Sequence, residues 1–284
     1  MMMKILVTGY TGQLGSDVFL EGIHRGYEMI GISSKEVNLV NEQLVYDYIK
    51  AENPDAIIHC AAYTAVDQAE KEKERCWDIN VNGTRYLVNA AKEIQAKFMY
   101  ISTDYVFEGI GDIPYKETDI TNPVNYYGRS KLEGEKIVQS HLTDWFIIRI
   151  SWVFGRNGRN FVKSILKLAE KADELNIVGD QIGSPTYSLE LSRLLLDMIG
   201  TNKYGIYHAT NEGYCSWAEF ATEIIRLTGK NVKVNVIKTE EYPTLAVRPK
   251  NSRLSKQKLV EAGFRPLSHW KEAVKHYLDS IEKR

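Results

Sequence analysis

A glycine-rich turn near the start of the chain constrains the fold more than any other feature. The apolar run Lys4–Thr8 leads straight into Gly9-Tyr10-Thr11-Gly12-Gln13-Leu14-Gly15, and a helical pattern follows over Gln13–Arg25. A tight turn from a buried strand into a helix needs a residue without Cβ sterics, which Gly9 supplies. A second glycine, Gly12, lets backbone N–H groups approach a pyrophosphate, and a third, Gly15, lets helix and strand pack closely. The helix N-terminus then offers unpaired donors and a positive dipole end to an anion. A lone glycine pattern is weak, but this one sits between a strand and a helix in a βαβ unit, and so points to dinucleotide binding.

The rest of the first half repeats that alternation. Strands are expected at Met29–Ser33, Ala56–Ala61, Lys97–Ser102 and Trp145–Ser151, with helices at Asn41–Glu52, Glu72–Ile94 and Tyr126–Ser140. Asn53-Pro54 closes the second helix, because a residue before proline avoids right-handed helical geometry. Short apolar strands alternating with helices predict an α/β fold: a Rossmann-type, doubly wound parallel sheet. Beyond the fifth strand the order loosens. Helices are expected at Phe161–Lys171, Leu189–Ile199, Trp217–Thr228 and His269–Ser280, with short strands at Asn176–Val178, Ile206–Ala209 and Val232–Ile237. The chain thus divides into an NAD(P)-binding Rossmann domain, 1–155, and a smaller, mainly substrate-binding α/β region, 156–284, with elements crossing back to the sheet.

Composition narrows the function classes. At 284 residues and 44% hydrophobic the chain can bury a sizeable core. Lys+Arg at 36 against Asp+Glu at 37 give no electrostatic case for nucleic acid or an anionic membrane. No apolar stretch reaches the roughly 18–20 residues of a membrane span, and the N-terminus does not read as a signal peptide. The 3 cysteines, Cys60, Cys76 and Cys215, are isolated, which suits a reducing compartment; Cys60 reads as a small core residue. A cytoplasmic protein is expected.

Two further signals concern chemistry. Tyr127 and Lys131 lie four residues apart on one helix face, whereas Tyr126 meets only Ser130. A nearby ammonium favours the phenolate and is expected to lower the tyrosine pKa. Tyr127 can then protonate a carbonyl oxygen while hydride reaches its carbon, and Lys131 can also hold the nicotinamide ribose. Thr103 ends the fourth strand, where ligands of open parallel sheets bind. At the end of the second strand, Ser33-Ser34-Lys35 suit the 2′-phosphate of NADPH, and Glu36 argues for NADH; the reading favours NADPH.

These residues together resemble the extended short-chain dehydrogenase/reductase superfamily. Within it, Thr103-Asp104-Tyr105-Val106-Phe107, Tyr127-Gly128-Arg129-Ser130-Lys131, Ser151-Trp152-Val153-Phe154-Gly155, Gln181-Ile182-Gly183-Ser184-Pro185-Thr186 and Arg248-Pro249-Lys250-Asn251-Ser252 are similar to the dTDP-4-dehydrorhamnose reductase family. The resemblance runs from about Lys4 to Trp270. It implies reduction of the 4-keto group of dTDP-4-dehydro-L-rhamnose by NADPH, sometimes NADH, to a precursor of surface polysaccharide. It implies Thr103, Tyr127 and Lys131 as the catalytic set. Gly9, Gly12, Gln13, Leu14 and Gly15 would serve the pyrophosphate turn, Asn38 and Leu39 the adenine side, and Ala62, Tyr63 and Thr64 the third strand end. Asp104, Val106 and Trp152 would meet the deoxysugar, beside Thr103. Asn38 stands where relatives often have aspartate. Some relatives dimerise through Mg2+ held by carboxylates. Asp17 and Glu190 suggest such positions, but no complete ligand set is identified and no metal site is assigned. The expected partner is a nucleotide sugar, and the chain a monomer or homodimer.

Other functions remain open from these residues. A nucleotide-sugar dehydratase needs an Asp-Glu pair after the strand-end threonine, where this chain has Asp104-Tyr105. An epimerase-reductase of the GDP-fucose kind uses a cysteine–histidine pair that Cys60, Cys76 and Cys215 do not supply. A cofactor-binding regulatory subunit of a methionine adenosyltransferase would not need an acid–base set, and one is present. A reductase of another nucleotide-linked ketosugar is the remaining alternative.

Overall fold

The computed structural model describes residues 2–282. Its centre is a sheet of 6 parallel strands: β1 Lys4–Thr8, β2 Glu28–Ile32, β3 Ala56–His59, β4 Lys97–Thr103, β5 Trp145–Ile150 and β6 Gly205–His208. The order across the sheet is β2-β1-β3-β4-β5-β6. The order reverses beside β1, so a crevice opens at the carboxyl ends of β1 and β3, where open α/β sheets bind ligands. β6 comes from the C-terminal half and pairs with β5 from Gly205↔Phe146 to His208↔Arg149.

Alternation along the strands feeds two cores. Ile5, Val7, Ile58, Met99 and Ile148 face one layer, which contains Val18 of α1 (Gln13–His24). Leu6, Ile57, Phe98, Tyr100 and Ile147 face the other, with Val45 of α2 (Glu42–Glu52) and Leu87 and Val88 of α3 (Gly83–Glu93). Val138 of α4 (Tyr126–His141) joins that second layer. Full burial on both faces explains why these strands are continuous apolar runs. A third core gathers Phe154, Phe220, Trp270 and Tyr277. It is built mainly from α5 (Phe161–Leu168), α7 (Trp217–Leu227) and α8 (Trp270–Glu282); α6 (Ser188–Ile199) instead packs Leu191, Leu194, Leu195 and Leu196 under the first layer.

Two local outcomes differ from the sequence reading. Asn53 does leave the right-handed helix before Pro54, but it does so in the left-handed region, at φ 45° and ψ 57°. The segment read as one helix over Glu72–Ile94 is broken. Lys73–Trp77 is followed by a π-helical turn, Asp78–Asn82, before α3 begins. The extra residue aims Asn80 inward, where Nδ2 donates to the Tyr63 carbonyl (3.1 Å) and to Ser130 Oγ (2.9 Å), and Oδ1 accepts from the Tyr63 N–H (2.8 Å). Those long-range bonds support the bulge, and a 3.6-residue period cannot reveal it.

Candidate active site

The turn after β1 takes the form its glycines dictate. Gly9 has φ +65°, and a Cβ there would meet the Ala61 backbone at 2.9 Å. A Cβ on Gly15 would lie 2.2 Å from the Gly9 carbonyl oxygen, so α1 can start this close to β1 only with glycine. α1 opens on Gly12 with no side-chain cap and no acidic residue in its first turn. Its first N–H groups are therefore left for an anion, which fits a dinucleotide pyrophosphate.

The residues expected to do acid–base work arrive from two elements. β4 ends at Thr103, whose Oγ1 accepts from the Tyr105 N–H (3.2 Å) and donates to Asp104 Oδ1 (3.0 Å). α4 begins after Asn125, whose side chain caps the helix by accepting from the Gly128 N–H (2.8 Å) and donates to the Val247 carbonyl (2.9 Å). That cap sets the helix start, and hence the direction of Tyr127 and Lys131. Behind them lies a buried ion pair. Arg149 donates twice to Glu135, at 2.9 and 2.7 Å, and the Ser102 hydroxyl donates to Glu135 Oε1 (2.5 Å).

One cavity of about 810 Å³ joins these parts. Its wall includes Gly9, Gly12, Gln13 and Leu14; Asn38 and Leu39; Ala62 and Thr64; Thr103 and Asp104; Tyr127 and Lys131; and Trp152. Four expected residues stand off that wall, among them Lys35, which was expected near a 2′-phosphate. Gly15 packs against Gly9 and serves the turn's geometry. Tyr63 has its backbone tied to Asn80 and its ring beneath Arg75. Val106 is fully buried in a small core with Phe107 and Leu254, because the 3-10 turn Asp104–Val106 rotates it inward.

The electrostatics differ from the sequence expectation. Burial pushes the Tyr127 hydroxyl well above the ordinary phenol range, and Asp104 adds to the rise. Burial pulls Lys131 down to about 7, against the opposing pull of Glu135. Its Nζ lies 3.9 Å from the centre of the Tyr100 ring. Desolvation thus sets the direction of the tyrosine's shift. Burial also raises the Asp104 carboxyl to about 6, against hydrogen bonding by the Ser252 and Thr103 side chains, and its Oδ2 is fully buried.

Several wall residues escaped the sequence reading. Cys60 packs against the first core, as expected, and also reaches the wall just beyond the end of β3, where burial lifts its thiol to about 12. Ile79 reaches the wall from the π-helical turn. Gly158 and Arg159 come from the loop before α5, where Asn160 Nδ2 donates to Gln13 Oε1 (3.0 Å). A cation following a glycine in a loop after a sheet strand was the available signal. Ser33 and Ser34 line the cavity too, yet Glu36 Oε2 accepts both the Ser33 N–H (2.8 Å) and its hydroxyl (2.5 Å). Asp17 accepts a hydrogen bond from Ser188, and Glu190 from Asn211 and Ser268. No group of three or more His, Cys, Asp or Glu side chains suited to a metal ion occurs among the described residues. No helix among them is long and apolar enough to cross a membrane.

The family described as RmlD substrate binding domain matches residues 3–283. A dTDP-4-dehydrorhamnose reductase of Aggregatibacter actinomycetemcomitans is 42% identical, over 97% of this chain and 98% of its own length. The chain belongs to the dTDP-4-dehydrorhamnose reductase family. The spore coat polysaccharide biosynthesis protein SpsK of Bacillus subtilis is 43% identical over 98% of this chain and 97% of its own. Among solved structures, a family member from Bacillus anthracis in complex with NADP superposes with a TM-score of 0.96 at 38% identity, covering 99% of this chain and 100% of that one.

Proposed function

We propose that this chain reduces the 4-keto group of dTDP-4-dehydro-L-rhamnose to the hydroxyl of dTDP-L-rhamnose, with NADPH as donor and NADH as a second one. Family membership supports the reading. The observation that carries it is that the glycine turn and Thr103, Tyr127 and Lys131 line one cavity. When bound, NADPH supplies the hydride that becomes the C4 hydrogen of the product. Gly12, Gln13 and Leu14 hold its pyrophosphate, Asn38 and Leu39 flank the adenine side, and Ala62 and Thr64 line the wall after β3. Lys131 holds the nicotinamide ribose.

Thr103 orients the carbonyl oxygen, and Tyr127 gives that oxygen its phenolic proton. A phenol whose pKa burial has raised stays protonated at neutral pH, which is the state a donor needs for reduction. Asp104 accepts a sugar hydroxyl, and Trp152 covers an apolar part of the ring. Holding donor, acceptor and acid in register supplies much of the rate. The product feeds polysaccharide synthesis. The protein acts in the cytoplasm, as a monomer or homodimer that light scattering separates.

The test is NADPH consumption with enzymatically prepared dTDP-4-dehydro-L-rhamnose, with NADH in parallel and the product identified by mass spectrometry. Rapid consumption yielding dTDP-L-rhamnose is expected. No consumption by protein that binds NADPH contradicts the reading and points to another nucleotide-linked ketosugar or to the regulatory-subunit alternative.

A further inference from the structure

The chain leaves β5 at Ile150 and turns sharply into the cavity wall. Trp152 sits in that turn at φ +50°, a left-handed conformation that bulky side chains rarely adopt. Such strain persists only where the surroundings fix it. Part of the fixing comes from the stretch Gln181–Thr186. The Ser151 hydroxyl donates to the Ser184 carbonyl (2.7 Å), the Thr186 hydroxyl to the Ser151 carbonyl (2.6 Å), and the Thr186 N–H to the Trp152 carbonyl (3.2 Å). A Cβ on Gly183 would lie 2.9 Å from Trp152 Cε2 and Cζ2, so glycine there gives the indole its room.

The backbone is therefore pinned, and the ring needs its own support. Trp217 provides it. The two indoles stack with centroids 3.6 Å apart and planes inclined by 15°. Trp217 is itself fixed: it opens α7 inside the Ser216–Glu219 capping box, and Phe161 packs against it with ring centroids 4.6 Å apart. Trp152 lines the cavity and Trp217 does not.

We propose that Trp217 is a positioning residue for the sugar end of the cavity, seating the Trp152 indole by a face-to-face stack before substrate arrives. The proposal rests on the reductase reading above. A ring held in its bound pose loses little freedom when a sugar meets it, so the gain falls on substrate affinity rather than on the chemical step.

Two variants test this. Trp217→Leu keeps apolar volume without a flat ring, and Trp217→Phe restores a flat ring. The leucine variant should raise KM for dTDP-4-dehydro-L-rhamnose about tenfold, with the rise in KM rather than kcat and the Kd for NADPH unchanged. The phenylalanine variant should recover most of that loss. An unchanged KM, or a KM and NADPH Kd that rise together as in general unfolding, overturns the proposal.

The 19F spectrum of 5-fluorotryptophan protein reads the seat directly, with the Trp152 line assigned from Trp152→Phe. That line should shift in Trp217→Leu, or in Trp217→Met if the leucine variant does not fold, and lie nearer its wild-type position in Trp217→Phe; a line unmoved in the variant without a flat ring overturns the proposal. If the wild-type protein leaves this ketosugar unreduced, the reaction reading fails. The 19F line, recorded on the free protein, then still decides the seat.

Discussion

The wall around Gly12, Asn38 and Ala62 comes from the loops after β1, β2 and β3, each directly continuing a strand. The wall at Trp152 is held instead by Gly183, Thr186 and Trp217, residues from separate parts of the C-terminal half. The proposed cofactor side is thus made by local turns on a rigid sheet, and the proposed sugar side by long-range packing onto it. One consequence is that substitutions on the first side should act through backbone geometry and charge. Those on the second should act through the pose of side chains.

The largest effect is expected where the two sides meet. Tyr127→Phe should bind NADPH normally and lose about 10²–10⁴-fold in turnover, as read by steady-state assay and cofactor titration. Near-normal turnover would exclude Tyr127 as the acid. Within the local side, Gly15→Ala forces a Cβ to within 2.2 Å of the Gly9 carbonyl oxygen. It should cost about 3 kcal/mol in urea unfolding, and a wild-type midpoint would break the claim that this turn is geometrically rigid.

Asp104 sharpens the comparison through pH. Burial raises its carboxyl from an ordinary 3.8 to about 6 in the folded chain. The unfolded chain therefore gives up this proton first. The contribution to stability is full below the unfolded value and is lost as pH rises through the folded one. Relative to Asp104→Asn, the wild-type protein should lose about 2 kcal/mol of stability between pH 4 and pH 7. Denaturant midpoints across that range check it, and a constant gap between the two proteins contradicts it. The smallest effect belongs to Glu36, which engages both Ser33 donors at the end of β2. Glu36→Gln removes a charge that competes with a 2′-phosphate, so kcat/KM for NADPH should rise against NADH by roughly two- to fivefold. A ratio that stays fixed or falls would remove Glu36 from cofactor choice.

The same contrast explains what was legible in the sequence. The sheet, the glycine turn and the Tyr127–Lys131 spacing are local patterns, so strand period, helix period and turn chemistry reveal them. The π-helical turn at Asp78–Asn82, the wall position of Cys60 and the Trp217 stack depend on contacts between distant segments. The sign of the Tyr127 shift depends on burial in the assembled cavity, which spacing alone does not contain. Gly15, Tyr63 and Val106 show the limit from the other direction: residues adjacent to the wall in sequence support it without lining it.

The central claim is that one cavity delivers hydride to the sugar's C4 while Tyr127 protonates the oxygen. Turnover with NADPH deuterated at the nicotinamide C4 tests it most directly, with the label located in the product by NMR. The account predicts deuterium on C4 of dTDP-L-rhamnose. Deuterium at another sugar carbon, or none in the product, would contradict it.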